Sequence, residues 1–569
     1  CQPGRRMVNL VYEQCINSPM TTAATYYITT PIYYVNDRPH IGHCYTTVVG
    51  DVAARFQRLI GMDVFFLTGT DEHADKVVTS AAEHGVSPQQ WADRNAQAFK
   101  DAFAFLGCTN NDFIRTTEPR HREKVASYIT RLIDCGAVYK GDYTGWYDVG
   151  QEEYVTDTAA RESDYKSPIN GKPLIKRTEP CYFFRLSQFQ SKLHDLIESR
   201  SDFIRPDARR QEVLGRLRPP AILHDVPISR PVTDDPATQW GIRIPGDEAH
   251  RVYVWIDALF NYLSVVDTPE RRKYWPASVH LIGKDILWFH SVIWPAMLLA
   301  LGEPLPRTIF GHGWWIAEGQ KMSKSLGNFI DLDKVKAYSS RYSLDALRWF
   351  LATQGPLTGN DADFSHAKFV ETFNAELANG IGNCASRVSN MIDKYFGGIV
   401  PDPHGRTTLA DHDWPAISAA LVTGCDGAIH QAERFHINES LHTAVELIRK
   451  VDGYINDTAP FKLAKHADAD PLKKAELAVI LYHCAEAIRI AAYLFWPAMP
   501  SKMDELLTRW GCITGAEATS RGHTLSELVA WGGAHSLKPG GKILKGETGL
   551  FNRADPAEPA PGSPSAPAA

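Results

Sequence analysis

Residues 25–56 read "TYYITTPIYYVNDRPHIGHCYTTVVGDVAARF", and this stretch decides the fold. Its opening, Thr25 to Tyr34, is rich in β-branched and aromatic residues and predicts a buried strand. After the loop "PHIGH" at 39–43, apolar residues recur at Val48, Val49, Val52, Phe56, Leu59 and Ile60, which is helical spacing. "DVFFLTGTDEH" at 63–73 then supplies a second strand and loop. Strand, loop, helix, strand is the opening of a parallel sheet with helices on its faces. In such sheets ligands sit beyond the carboxyl ends of the strands, where PHIGH and TDEH both fall.

His40 and His43 thus lie between a strand and a helix, where unpaired backbone N–H groups and the helix dipole favour an anion. Gly42 has no Cβ, so a flat ring or a phosphate can approach the backbone closely. Taken alone, the pentapeptide is open to three readings. The histidines could be a metal pair, structural side chains, or donors to phosphate oxygens that stabilise charge growing in a transition state.

The chain has 569 residues, too many for one core, and predicts two or three domains. A formal net charge of −6 argues against a surface coated in basic residues, though a local basic face can still meet a nucleic acid. Ten cysteines are scattered singly with no C-x-x-C pair, the pattern of reduced thiols in a cytoplasmic enzyme. The most apolar run, "AVILYHCAEAIRIAAYLFWPAM" at 478–499, is broken by His483, Glu486 and Arg489 and reads as a buried helix, with no membrane partner. Arg5 and Arg6 hint at a targeting peptide, but no h-region or amphipathic Arg/Ser run follows, and Met20 is the expected natural start.

The texture divides the chain as follows. Residues 1–24 form a leader expected to be disordered, and 25–138 the first half of a Rossmann-like sheet domain. Short strands, turns and the Arg-rich "RPDARRQEVLGRLRPP" mark 139–248 as an insertion, and 249–364 resume the sheet domain. From 365 to 550 the chain reads as wholly helical. Leu377, Ile381, Cys384, Val388, Met391 and Tyr395 form one apolar stripe; Leu441, Ala444, Val445, Ile448, Val451 and Ile455 form another, so a helical bundle is expected. The low-complexity Pro/Ala/Ser tail, 551–569, cannot bury a core and is expected to be disordered.

Residues 321–325 read "KMSKS", preceded by glycine and followed by Leu-Gly-Asn. Two lysines in a flexible loop make a mobile clamp for a polyphosphate, although a lone K-x-x-K is more often a solvated loop. The pairing of HIGH with KMSKS about 280 residues later resembles class I aminoacyl-tRNA synthetases. The intervening "TPIYYVNDRPHIGH", "GTDEH", "GDYTGWY", "YVWIDALFNY", "IGKDILWFH", "GHGWW" and "NCASR" together resemble the methionyl-tRNA synthetase family, in colinear order from about Thr25 to Leu550.

The resemblance implies an α/β Rossmann-like catalytic domain, an inserted connective domain and an all-α anticodon-binding bundle. It implies a ligase that activates L-methionine with Mg²⁺-ATP to methionyl-adenylate, then transfers methionine to the terminal adenosine of tRNA(Met). His40, His43, Lys321 and Lys324 would be the catalytic groups, supplying position and counter-charge without a covalent intermediate. Gly42 would lie under the adenine, Gly283 and Asp285 would hold the ribose, and His312 and Gly313 would border the base. Asp71 would pair with the substrate ammonium. Ile32, Tyr34, Trp255, Ala258, Leu259, Tyr262, Ile286 and His290 would surround the thioether, an unbranched polarizable group well held by aromatic rings.

Two departures from the family pattern stand out. Where many members carry two Cys-x-x-Cys zinc pairs, this chain has Asp148 and Gln151, then Ser167 and Asn170, so no structural zinc is expected. The helix "NCASR" brings Asn383 and Arg387 to the anticodon, but the aromatic platform that usually follows in an Ala-Pro-Trp run is here Ala459-Pro460-Phe461. Phe461 can still stack on a base while lacking the indole N–H. A monomer is expected, since no appended dimerising domain follows the bundle. Two rival readings are a catalytically degenerate paralogue that only binds RNA and a different class I synthetase. The cysteine-specific kind needs zinc thiolates, and the branched-chain kinds need a longer insertion.

Overall fold

The computed structural model describes residues 24–36, 38–148, 153–155, 157–167, 171–317, 319–322, 328–409 and 411–562. The expected leader at 1–23 therefore lies outside the described residues, as do Lys324, Gln151 and Asn170.

The described chain divides into two compact units, one of Tyr27–Asp51, Phe66–Val370 and the segment from Pro556, the other of Val52–Phe65 and Glu371–Asp555. The first is built on a six-stranded sheet. Its strands are β1 (Thr25–Tyr34), β2 (Asp63–Asp71), β3 (Asp112–Arg115), β4 (Ile204–Arg205), β5 (Val279–Gly283) and β6 (Thr308–His312), in the order β3-β2-β1-β5-β6-β4. The pairs with a defined register are parallel: Ile28 lies beside Val279, Gly283 beside His312, Leu67 beside Asp112 and Ile309 beside Ile204. β2 is buried throughout except at Asp63, and β1 is buried from Tyr26 to Thr30, as strands covered on both faces must be; Pro31, Ile32 and Tyr34 toward its end are half-buried. The chain winds outward from β1 through β2 to β3, then returns to the other side of β1 with β5. The switch point therefore falls between β1 and β5, where a doubly wound sheet opens a crevice.

Helix α1 (Ile41–Ile60) follows β1, and Val48, Val49, Val52, Phe56 and Leu59 of the predicted stripe are fully buried. The inserted region departs from its expected limits. Val138–Asp148 and Ile175–Phe184 pair antiparallel in a separate four-stranded sheet, but the chain then sends β4, at residues within 139–248, back to the edge of the parallel sheet. A two-residue strand carries too little periodicity to be read from sequence.

The second unit contains α2 (Asn383–Phe396), α3 (Ile437–Thr458), α4 (Pro460–Ala467) and α5 (Pro471–Phe495). All six residues of the second predicted stripe are buried on α3. The first stripe drifts: within α2 the buried face runs Cys384, Val388, Ile392 at four-residue steps, so Met391 and Tyr395 are only half-buried. The region is not wholly helical, since Thr408–Leu409 and His412–Asp413 pair as a short hairpin. α5 is the one described helix long and apolar enough to cross a membrane, and its apolar window is entirely buried. Its polar residues are satisfied inside: His483 meets Tyr454 and the Arg406 carbonyl, and Glu486 is bidentate to Arg489.

The tail does not follow its composition through 551–562. Phe551 is buried, Ala554 exchanges two hydrogen bonds with Asn374, and the carbonyls of Glu558 and Pro559 accept from His366 and Arg341. Side chains of Asn374, His366 and Arg341 hold the backbone of this segment where its own apolarity could not. Residues 563–569 lie outside the described part.

Candidate active site

The last residues of four parallel strands, Tyr34 of β1, Asp71 of β2, Gly283 of β5 and His312 of β6, line one cavity of about 640 Å³. His40, Gly42 and His43 from the start of α1 close one side of it. Ile32, Trp255, Ala258, Leu259, Tyr262, Asp285, Ile286 and His290 complete the set of expected residues on the wall.

The two signature histidines are mutually arranged, with ring centroids 3.8 Å apart. His40 Nδ1 accepts from the Gly42 amide at 3.1 Å, and His43 Nδ1 accepts from the His40 amide at 3.3 Å. Backbone donors thus occupy both Nδ1 atoms, so in the neutral rings the proton sits on Nε2. His43 also rests edge-on against Tyr33 and Phe99. Burial, with His40 alongside, pushes its pKa well below the usual histidine range, so it is a neutral donor. Its role in binding an anion is directional, supplied by a dipole that needs no reorganisation.

His312 is fixed by the same logic. Its Nδ1–H donates to the Gly313 carbonyl at 2.7 Å, and Nε2 faces the Thr46 hydroxyl at 2.9 Å. Gly313 itself is not on the cavity wall; a Cβ there would come within 2.2 Å of the Asn360 carbonyl, so its place is set by backbone packing behind His312. Gly283 faces the Asp285 carboxylate, which would lie 2.5 Å from a Cβ at that position. Asp285 also accepts from the Trp314 indole at 3.2 Å.

At the opposite end, Asp71 is 2% exposed and its Oδ1 has no hydrogen-bond partner among the described residues. Burial first, then the nearby charge of Asp257, lifts its carboxyl well above the usual carboxylate range. A buried orphan carboxylate oxygen on a cavity wall is a site that a cation would satisfy. Beside it the wall is aromatic: Trp255 stacks on Phe289 at 4.4 Å and meets Tyr34 edge-on at 5.8 Å. Tyr262 donates to His290 Nε2 at 2.8 Å while His290 Nδ1–H donates to the Ile286 carbonyl at 2.9 Å. Burial pushes the His290 pKa down to about 4, so this pair is neutral and presents weak polar edges to whatever fills the pocket. His290 lies in a π-helical turn, Phe289–Ile293, a distortion that often marks a functional position.

The described residues that flank the lysine loop lie at the histidine end of the cavity. Trp315–Ala317 pairs with Gln320–Lys321 in a hairpin before the loop, and beyond it Ile330 accepts from the Ile41 amide at 3.0 Å. Phe329 packs edge-on against His40 at 5.3 Å. Lys324 lies outside the described residues.

Comparison with known proteins places this architecture. The family model described as tRNA synthetases class I (M) matches residues 26–165 and 160–389. A methionine–tRNA ligase of Caldanaerobacter subterraneus subsp. tengcongensis is 40% identical over 538 residues, 93% of this chain and 79% of that one. That of Rickettsia felis is 40% identical over 519 residues, 90% of this chain and 97% of the relative. The chain belongs to the methionyl-tRNA synthetase family. A solved relative, the Mycobacterium tuberculosis methionyl-tRNA synthetase bound by methionyl-adenylate, superposes with a TM-score of 0.80 at 33% identity, covering 93% of this chain and all of that one.

Within this synthetase fold, sequence reasoning missed six residues of the cavity wall: Pro31, Tyr33, Asn36, Thr46, Trp314 and Phe329. Thr46 was findable, since it lies one helical turn after Gly42 on the same face of α1 and donates to the Gly42 carbonyl. Trp314 sits in the "GHGWW" run that carried the resemblance. Phe329 follows the lysine loop and has no local signal.

The expected anticodon residues lie in the helical unit. Asn383 is exposed at the start of α2, and Arg387, one turn on, reaches Asp452 of α3 at 3.2 Å. Phe461, in the first turn of α4, is 47% exposed, unusual for a large apolar ring. Of the substituted zinc positions, Asp148 is buried and Ser167 sits in a turn in which its amide donates to the Lys172 carbonyl.

Proposed function

We propose that the cavity at the switch point joins L-methionine to ATP as methionyl-adenylate, and that the chain then charges tRNA(Met) at its terminal adenosine. The protein is an aminoacyl-tRNA-forming ligase by family, and the single observation that carries the site assignment is the orphaned, buried Asp71 Oδ1 beside an aromatic pocket. An ammonium there satisfies the carboxylate, and the unbranched thioether lies among Trp255, Leu259, Tyr262 and His290. Sulfur–aromatic contacts of this kind contribute about 0.3–1.5 kcal/mol each.

With its amine and side chain held, the methionine carboxylate faces the other end of the cavity. There Gly42 gives adenine room, Gly283 and Asp285 hold the ribose, and His312 borders the base. The Nε2–H groups of His40 and His43 donate to phosphate oxygens as the carboxylate attacks the α-phosphate and pyrophosphate leaves. Lys321 and Lys324 supply the positive counter-charge. Mg²⁺ enters as part of the nucleotide, bound mainly by phosphate oxygens and water, as suits so small and hard a cation.

Asn383 and Arg387, with Phe461 as a stacking ring, read the anticodon. The substituted knuckle holds no zinc, because oxygen and amide groups replace soft thiolates. The enzyme acts as a monomer in the cytoplasm; the eight cysteines among the described residues are all free thiols. The test is charging of tRNA(Met) with labelled methionine. Label that is acid-precipitable and released by mild base supports transfer to the ribose, and failure to charge with adenylate formation intact would restrict the activity to the first step.

A further inference from the structure

Behind the aromatic wall lies a buried polar cluster that the proposed reaction does not use. Asp257 is 1% exposed, and both carboxylate oxygens are engaged: Oδ2 accepts from His73 Nδ1 at 2.6 Å and Oδ1 from His121 Nε2 at 2.7 Å. His121 is itself braced by Ser264 at 3.0 Å. Burial pushes the Asp257 carboxyl up, and the two imidazoles outweigh it, holding it down at about 2. Burying such a cluster is costly unless every member is satisfied, and this one is placed where it connects otherwise separate elements.

Each member comes from a different element. His73 is two residues beyond Asp71, in the loop that follows β2. Asp257 sits in the short helix Val254–Leu259, whose Trp255, Ala258 and Leu259 face the cavity. His121 is on the helix Pro119–Asp134, none of whose residues lines the cavity. The His73 ring meets Trp240 of the inserted region edge-on, and the Trp240 indole donates to the Glu72 carbonyl at 2.6 Å. The loop carrying the ammonium-binding carboxylate and the helix carrying the thioether wall are therefore joined through one carboxylate.

We infer that Asp257, clamped by His73 and His121, is a positioning residue that fixes the distance between Asp71 and the thioether wall and so sets the length of side chain the enzyme accepts. The inference rests on the assignment of Asp71 and Trp255 given above. Methionine bridges both ends at once, so a fixed spacing rejects an amino acid one methylene longer that could otherwise bind by displacing one end. Discrimination of a single methylene is worth only about 10- to 200-fold at best, so a rigid wall is needed to obtain it.

The test compares methionine with ethionine, which is longer by one methylene, in ATP–pyrophosphate exchange. Asp257→Asn is expected to raise the methionine KM about tenfold, with kcat at saturating methionine changed less than threefold. The methionine-to-ethionine ratio of kcat/KM is expected to fall by a similar factor. His73→Leu should reproduce both effects, whereas His73→Gln, which keeps an N–H donor toward Asp257, should restore much of the ratio. An unchanged ratio and KM in folded His73→Leu, or in Asp257→Asn, overturns the inference; if Asp257→Asn does not fold, His73→Leu decides alone. Asp71→Asn separates this from the underlying assignment. Its loss of methionine-dependent exchange, with a wild-type ratio in His73→Leu, rejects only the spacing role, while undiminished exchange in Asp71→Asn rejects the assignment itself.

Discussion

Asp71 illustrates how a single residue's chemistry follows from burial. Its carboxyl is lifted above the ordinary range of about 3.9 because the site shields it from water and Asp257 lies near. In the role proposed for Asp71 only the carboxylate can pair with a substrate ammonium, so kcat/KM for methionine is expected to be full above the raised pKa and to fall as pH falls through it. The free-enzyme profile should show a one-proton acid limb well above pH 4; a limb at the ordinary carboxylate position contradicts the environment described. This residue was legible in the sequence only through resemblance. "GTDEH" contains two carboxylates, and nothing in its spacing says that Glu72 is taken by Arg115 at 2.7 Å while Asp71 keeps an open oxygen. His40 and His43 were better served by local reasoning, since a strand-to-helix loop already implied an anion site. Their Nδ1–backbone bonds, which fix the donor atoms, depend on a loop geometry that no periodicity encodes.

At the scale of elements, the periodic segments were the readable ones. β1, α1, α3 and α5 follow from strand composition or from helical stripes that end up buried. β4, the hairpin near residue 410 and the ordered stretch 551–562 did not, because each is too short or too polar to carry a pattern, and β4 and 551–562 are held by partners distant in sequence. α5 gives a stability prediction. Glu486 and Arg489 are both fully buried, and Glu486 also accepts from the Leu537 amide at 2.9 Å. Glu486→Leu leaves the guanidinium uncompensated and is expected to cost about 3–5 kcal/mol, read as a lower midpoint in chemical denaturation. An unchanged midpoint would mean that the pair is dispensable. The lysine loop gives a kinetic prediction. Lys324→Ala should slow adenylate formation by about 10²- to 10³-fold, as removing one transition-state donor does elsewhere, while free methionine binding measured by equilibrium dialysis stays nearly intact. Loss of methionine binding would assign the loop a different role.

For the whole molecule, the two halves of the account make separable claims. Arg387, balanced by Asp452 on a neighbouring helix, belongs to the unit expected to read the tRNA, and the cavity belongs to the other. Arg387→Ala should therefore raise the KM for tRNA(Met) at least tenfold and leave tRNA-independent ATP–pyrophosphate exchange unchanged; impaired exchange would show that Arg387 acts on more than recognition. The fold class and the activity were legible because two signatures far apart in sequence, HIGH and KMSKS, carry the resemblance together. What stayed hidden was the support behind the site, where Asp257, His73 and His121 converge from three elements. The most direct test of the central claim is ATP–pyrophosphate exchange with each of the standard amino acids, run on the unmodified chain and on Asp71→Asn. The account predicts exchange with methionine alone and its loss in Asp71→Asn. Exchange driven by another amino acid, silence with all of them, or full methionine exchange in Asp71→Asn would contradict it.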